Sequence, residues 1–134
     1  MLTPYIPKYK KVAMGLLSYI PRFKDYEEMS NEIAKIESGY RSLYLYRDQA
    51  SDNYHALIAF DEDLDSQSII LRYVAVTPSF RGEGLVSQMI TELSELFPQR
   101  NFSASIEMSD FFKKWNLEMR QAKGKHSAEE VSDL

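Results

Sequence analysis

The stretch IILRYVAV, residues 69 to 76, is apolar on both of its alternations apart from Arg72. A strand of that kind is stable only where both of its faces are covered, so it predicts a central strand in a sheet with helices on either side. The next segment is equally constrained. Thr77 and Pro78 end the run, Arg81-Gly82-Glu83-Gly84 makes a short joint, and Leu85, Met89, Ile90, Leu93, Leu96 and Phe97 recur at helical spacing until Pro98 stops them. The chain has only 5 glycines in 134 residues, and this joint takes two of them.

A strand that turns into a helix presents the free N–H groups of the helix's first turn at the joint, with the positive end of the helix dipole behind them. Anions bind at such ends, and glycine lets a phosphate approach the main chain closely. Arg81 adds a fixed positive charge beside the same spot. A tight turn that uses glycine only for its dihedrals is the competing reading. A Walker loop is set aside because Leu85 and Val86, not Lys and Ser/Thr, follow Gly84. A dinucleotide fingerprint is set aside because Ser87 takes the place of the third glycine and hairpin-like strands precede the loop.

Elsewhere, Tyr9, Val12, Ala13, Leu16, Leu17 and Ile20 predict a helix that Pro21 ends, preceded by a short strand over 2 to 6 that Pro4 and Pro7 confine to a sheet edge. A second helix places Tyr26, Met29, Ile33 and Ile36 inward and Glu27, Glu28, Glu32 and Lys35 outward, closing at Ser38-Gly39. SLYLYR (42 to 47) and YHALIAF (54 to 60) predict a hairpin, and the turn DEDLDSQ (61 to 67) leads into the central strand. NFSASIE (101 to 107) predicts a further strand, and SDFFKKW (109 to 115) a short helix with Ser109 as N-cap. These elements make one domain over 1 to 120 and a polar, flexible tail over 121 to 134.

Composition excludes several classes. With 0 cysteines there is no disulfide scaffold, thiolate nucleophile or cysteine metal site, and with 2 histidines a zinc site is not expected. A net charge of -4 argues against a nucleic-acid partner. No apolar run approaches the roughly 20 residues that span a bilayer, and the first residues do not read as a secretory signal, so a cytoplasmic protein with no membrane partner is expected.

Val76-Thr77-Pro78, then Arg81-Gly82-Glu83-Gly84-Leu85, then the amphipathic helix, resembles the acetyl-CoA-binding segment of the GNAT family of N-acetyltransferases. That family's pattern is Arg/Gln-x-x-Gly-x-Gly/Ala after a strand ending in Val-x-Pro. The likeness extends over about residues 1 to 118, and YKKVAMGLLSYIP (9 to 21) is similar to the GNAT-like proteins encoded in riboflavin-biosynthesis operons. The resemblance implies an α+β, GNAT-like acyl-CoA N-acyltransferase fold. Its mixed central sheet would carry helices on both faces and fall short of the full set of C-terminal strands, which leaves homodimerisation open.

The resemblance also implies site residues. Val74 and Val76 would bond the pantetheine arm of acetyl-CoA through their main chain, with the thioester carbonyl near the Val74 amide. Arg81, Gly82, Glu83, Gly84, Leu85 and Val86 would surround the pyrophosphate, with Ser87 beside them, and no metal is implied. Acetyl transfer to a small-molecule or protein amine also needs a base and an acid. Here the chain departs from the family. Ile70 stands where many members carry a glutamate, Phe111-Phe112 replaces a Phe-Tyr pair, Ser105 replaces an asparagine, and Val86 stands where Gly or Ala is usual. Glu107 as base and Tyr73 as acid are the substitutes, each with a structural reading beside it: a helix-start carboxylate for Glu107, core packing for Tyr73. His55, His126, the DEDLD carboxylates, and an acceptor cleft lined by Tyr44, Tyr46 and Tyr54 are further candidates, each more simply read as surface, turn or core. Two functions stay open, an acetyl-CoA-dependent N-acyltransferase and a GNAT-fold acyl-CoA-binding module with a regulatory or partner-binding role.

Overall fold

In the computed structural model, residues 1–132 are described, with side chains through Lys123; residues 133 and 134 and the side chain of His126 lie outside the description. Five strands form one sheet in the order β1 (Leu2–Pro4), β2 (Ser42–Arg47), β3 (Tyr54–Asp63), β4 (Ser68–Val76), β5 (Asn101–Ala104). The first four pair antiparallel and β5 joins β4 in parallel, which makes the sheet mixed. Pro4 sits on the edge strand, where a missing N–H disturbs no ladder.

Helices α1 (Lys10–Leu17) and α2 (Tyr26–Glu37) cover one face, and α3 (Leu85–Leu96) and α4 (Ser109–Ser132) the other. The first face closes over Leu16, Leu17, Phe23, Ile33, Leu45, Leu57, Ala59 and Tyr73. The second closes over Ile58, Phe60, Ile69, Leu71, Met89, Ile90, Leu93 and Met108. Each Leu, Ile, Phe or Met side chain among these stabilises the fold by about 1.5–3 kcal/mol when taken from water. β3 and β4 contribute to both cores, as the two-sided apolar run requires. Among the described residues no strand follows β5, and no helix is long and apolar enough to cross a membrane.

Several expectations are corrected. α1 ends at Leu17, ahead of Ile20, because Pro21 forces the residue before it off the helical region; Ile20 is extended at φ -89 and ψ 121. Tyr26 starts α2 in solvent, 77% exposed, and Asp25 caps that helix by accepting the Glu28 N–H at 3.1 Å. Glu32, expected outside, is buried, because Arg41 and Tyr73 receive it within the core. The late strand stops at Ala104, and Ile106–Met108 forms a 3-10 turn, so Glu107 lies beyond the sheet. Ser109 is the first helical residue of α4; its hydroxyl donates back to the Ile106 carbonyl at 2.9 Å and caps no N–H. α4, Ser109–Ser132, is longer than the short helix expected.

The registers of β3 and β4 contain one irregularity that matters for the site. Ala56 through Ala59 face Val76 through Tyr73 one to one, but Phe60 faces Leu71, so Arg72 is an extra residue on β4. A bulge of this kind shifts the alternation of the strand by one. Accordingly Ile69 and Leu71 pack on the α3/α4 face, whereas Tyr73 and Ala75 pack on the α1/α2 face.

Candidate functional site

β5 leaves β4 just after the bulge. The Ser105 N–H donates to the Leu71 carbonyl at 2.8 Å and the Ser105 hydroxyl to the Arg72 carbonyl at 2.9 Å, after which the chain turns away. On the other side of β4 the Thr77 N–H donates to the His55 carbonyl at 2.8 Å, so Thr77 addresses β3. Main-chain groups alternate sides along a strand. Ala75 and Tyr73 therefore also address β3, while Val74 and Val76 direct their peptide groups into the gap that β5 has vacated. Without the extra Arg72 it would be Tyr73 and Ala75 that faced the gap. The bulge thus places the two predicted residues at an open sheet edge, a surface that can take an extended ligand as one more strand.

The end of this edge runs into the glycine joint. Gly82 and Gly84 hold φ of 82 and 75, the left-handed region that favours glycine, and a Cβ at either would meet nothing within 4 Å. Gly84 is the N-cap of α3 and supplies no capping side chain. The first intrahelical bond runs from the Gln88 N–H to the Gly84 carbonyl at 3.1 Å. The amides of Leu85, Val86 and Ser87 consequently have no acceptor within the helix. Arg81 is tied to the strand, its Nε donating to the Val76 carbonyl at 3.0 Å.

A cavity of about 370 Å³ runs along this path. Val74 and Val76 line it from β4, and Arg81, Gly82, Gly84, Leu85, Val86 and Ser87 from the joint and α3. Of the predicted cofactor residues only Glu83 does not line it; its exposed side chain stands outside. Sequence reasoning did not assign Tyr19 and Ile20, Phe80, or Lys114 on α4 to this wall. Pro21 was the available signal for the first two, because it frees the preceding residues from α1. Lys114 and Arg81 put two cations on the cavity of a chain whose net charge is -4. Uncapped amides, open space at both glycines, a free sheet edge and two cations together fit a diphosphate joined to an extended amide-bearing arm.

A second cavity of about 240 Å³ adjoins the first and shares Tyr19, Ile20, Val74 and Phe111 with it. Tyr73 and Glu107 both line this one. They differ in availability. The Glu107 carboxylate is 52% exposed and pairs with Arg22 Nη1 at 3.3 Å. The Tyr73 hydroxyl donates to Glu32 Oε2 at 2.6 Å, and Glu32 also accepts from Arg41 at 2.8 and 3.0 Å. Burial first, then the hydrogen bond and charge of Glu32, hold the Tyr73 hydroxyl far above the usual tyrosine range. Its O–H is thus directed at Glu32 within the core.

The other candidates lie elsewhere. His55 stacks on Phe80 at 3.8 Å, with Nε2 3.7 Å from Asp48. Tyr44 packs against Phe60 and Phe97, the Tyr46 hydroxyl accepts from Gln88, and Tyr54 meets Tyr9, so none of the three lines either cavity. Three of the four DEDLD carboxylates have partners: Asp61 takes Arg41 and Arg72, Glu62 takes Arg100, and Asp63 accepts N–H groups of its own turn.

A splayed parallel strand pair beside a glycine-led helix, on a mixed sheet with helices on both faces, is the GNAT-like acetyltransferase fold. A possible acetyltransferase from Clostridium difficile 630 superposes with a TM-score of 0.65 at 10% identity, covering 90% of this chain and 88% of that one. An aminoglycoside 6'-N-acetyltransferase complexed with coenzyme A superposes with a TM-score of 0.60 at 16% identity, covering 76% of this chain and 57% of that one. In sequence, an uncharacterized N-acetyltransferase in the lysA 3' region of Bacillus methanolicus is 25% identical over 118 residues, 87% of this chain and 96% of that protein. No family model matches the chain.

Proposed function

We propose that the protein is an acetyl-CoA-dependent N-acetyltransferase that passes an acetyl group to an amine by direct attack. The observation that carries this reading is the continuity of the larger cavity, from the outward peptide groups of Val74 and Val76 to the uncapped amides of Leu85, Val86 and Ser87. Pantetheine would lie along the β4 edge, and the diphosphate would rest at Gly82 and Gly84 with Arg81 and Lys114 beside it. The Val74 amide would polarise the thioester carbonyl, the role that preorganised N–H donors serve in acyl transfer. The acceptor amine would approach from the smaller cavity, whose lining includes Glu107, and that carboxylate would take its proton. The chain has no cysteine, so no cysteinyl acyl-enzyme is involved.

The aromatic and aliphatic lining of the smaller cavity, Tyr19, Ile20, Met108 and Phe111, favours an amine with an apolar body. The resemblance of residues 9 to 21 to RibT, the GNAT-like protein encoded in riboflavin-biosynthesis operons, makes riboflavin-pathway amines the first to test. A cytoplasmic location and a homodimer belong to the same proposal.

Ile70 on the central strand and the committed Tyr73 hydroxyl favour a second reading, a GNAT-fold module that binds acyl-CoA without efficient turnover. Both readings expect acetyl-CoA to raise the melting temperature. Only the first expects free thiol when acetyl-CoA is incubated with an amine panel that includes riboflavin-pathway intermediates. Absence of any thermal shift sinks both.

A further inference from the structure

We infer that Tyr19 is the acid that protonates the departing thiolate, an inference that rests on the acetyl-transfer reading above. Four residues line both cavities, Tyr19, Ile20, Val74 and Phe111. A thioester lying along the β4 edge, with an amine approaching from the smaller cavity, presents its sulfur where the two cavities meet. Of those four side chains only that of Tyr19 carries an exchangeable proton. Lys114 lines the larger cavity alone, Glu107 lines the smaller alone, and the Tyr73 hydroxyl is held by Glu32. Of the first four residues of α4 only Phe111 lines either cavity, and Ser109, Asp110 and Phe112 line neither.

The fold presents Tyr19 rather than leaving it loose. The chain leaves α1 after Leu17, the Tyr19 N–H donates to the Leu16 carbonyl at 3.1 Å, and Pro21 holds Ile20 extended. The Arg81 guanidinium lies 5.4 Å from the centre of the Tyr19 ring, while Arg81 itself is bonded to the Val76 carbonyl. The ring is thereby docked beside the open strand edge by the residue that opens the glycine joint. It remains 43% exposed, and its hydroxyl has no hydrogen-bond partner among the described residues.

Atoms and electrons balance in this step. The lone pair of the amine nitrogen forms the C–N bond, the C–S bond breaks with its electron pair on sulfur, and the Tyr19 O–H gives its proton to that sulfur. The proton lost by nitrogen passes to Glu107, and solvent carries it back to the Tyr19 oxygen. The products are the amide and free coenzyme A thiol.

The test needs no acceptor. Coenzyme A bound to the full chain is titrated by the ultraviolet absorbance of its thiolate, with desulfo-coenzyme A as blank. A donor placed at the sulfur stabilises the thiolate, so the bound thiol of the wild type titrates about one pH unit below that of free coenzyme A. Tyr19→Phe keeps the ring and its contact with Arg81; it binds coenzyme A with the wild-type Kd but loses that displacement. Tyr73→Phe keeps the displacement. Equal thiol titration in wild type and Tyr19→Phe overturns the assignment and leaves the binding site standing, whereas failure of the wild type to bind coenzyme A overturns the acetyl-transfer reading itself.

Discussion

Replacing Gly84 by Glu tests the helix end while leaving the fold in place. Gly84 holds φ 75, and forcing an L side chain into that region costs about 1–2 kcal/mol. No overlap adds to this, since a Cβ there meets nothing within 4 Å. The expected loss of melting temperature is therefore only roughly 3–8 °C, and the domain stays folded. Binding responds differently. A carboxylate about 5 Å from a diphosphate, at an effective dielectric constant near 20, is repelled by about 3 kcal/mol per unit charge, or about two orders of magnitude in Kd. With acetyl-CoA at about 100 times the wild-type Kd, the wild type gains about 2.7 kcal/mol of apparent stability and the variant about 0.4 kcal/mol. Gly84→Ala carries the same backbone strain without the charge and keeps more of the ligand-induced shift than Gly84→Glu. Thermal melts with and without acetyl-CoA read all three. A Gly84→Glu protein that melts cooperatively and still shows the full wild-type shift would falsify the placement of the diphosphate.

Three other perturbations have defined outcomes. Glu32→Gln leaves the buried Arg41 with Asp61 as its remaining carboxylate, for an expected loss of about 3 kcal/mol; urea unfolding should show a lower midpoint at unchanged slope, and a double-mutant cycle with Tyr73→Phe should be non-additive. At alkaline pH, burial and Glu37 raise Tyr5 from 10.0 to about 12, and burial and Glu32 raise Tyr73 as well. The folded state then holds these protons more tightly than the unfolded chain, so their contribution is complete below pH 10 and declines as pH rises from 10 towards 12; Tyr5→Phe and Tyr73→Phe should each flatten that decline in melts across this range. Ser105→Ala removes the hydroxyl that bonds the Arg72 carbonyl where β5 departs, for about 1 kcal/mol of stability in urea titrations and weaker acetyl-CoA binding if the splay loosens.

The order of elements was legible because the signals were local. Proline marked the edge strand and the ends of helices, spacing marked the helical stripes, and the two-sided apolar run marked the centre of the sheet. The glycine joint was legible because glycine at positive φ leaves a trace in composition and Arg81-Gly82-Glu83-Gly84 resembles a known pattern. What stayed hidden depends on contacts distant in sequence. Glu32 reads as a surface residue until Arg41 and Tyr73, 9 and 41 positions away, are seen to receive it. Tyr19 and Ile20 read as the last turn of a helix until the extended residue before Pro21 carries them over β4. Glu107 reads as the end of a strand because nothing in NFSASIE announces that Ser105 turns back to bond Leu71 and Arg72.

Arg72 joins these observations. Counted straight through, the alternation of IILRYVAV puts Leu71, Tyr73 and Ala75 on one face and gives Tyr73, not Val74, to the gap beside β5. One unpaired residue reverses both assignments at once. The Tyr73 side chain crosses to the α1/α2 face, where its hydroxyl donates to Glu32, and the Val74 and Val76 peptide groups turn outward to an edge with no partner strand. The same insertion that turns the Val74 and Val76 peptide groups to the open edge therefore also turns the Tyr73 hydroxyl toward Glu32. The proton source proposed above, Tyr19, lies outside the sheet, its ring docked on the Arg81 that is bonded to Val76.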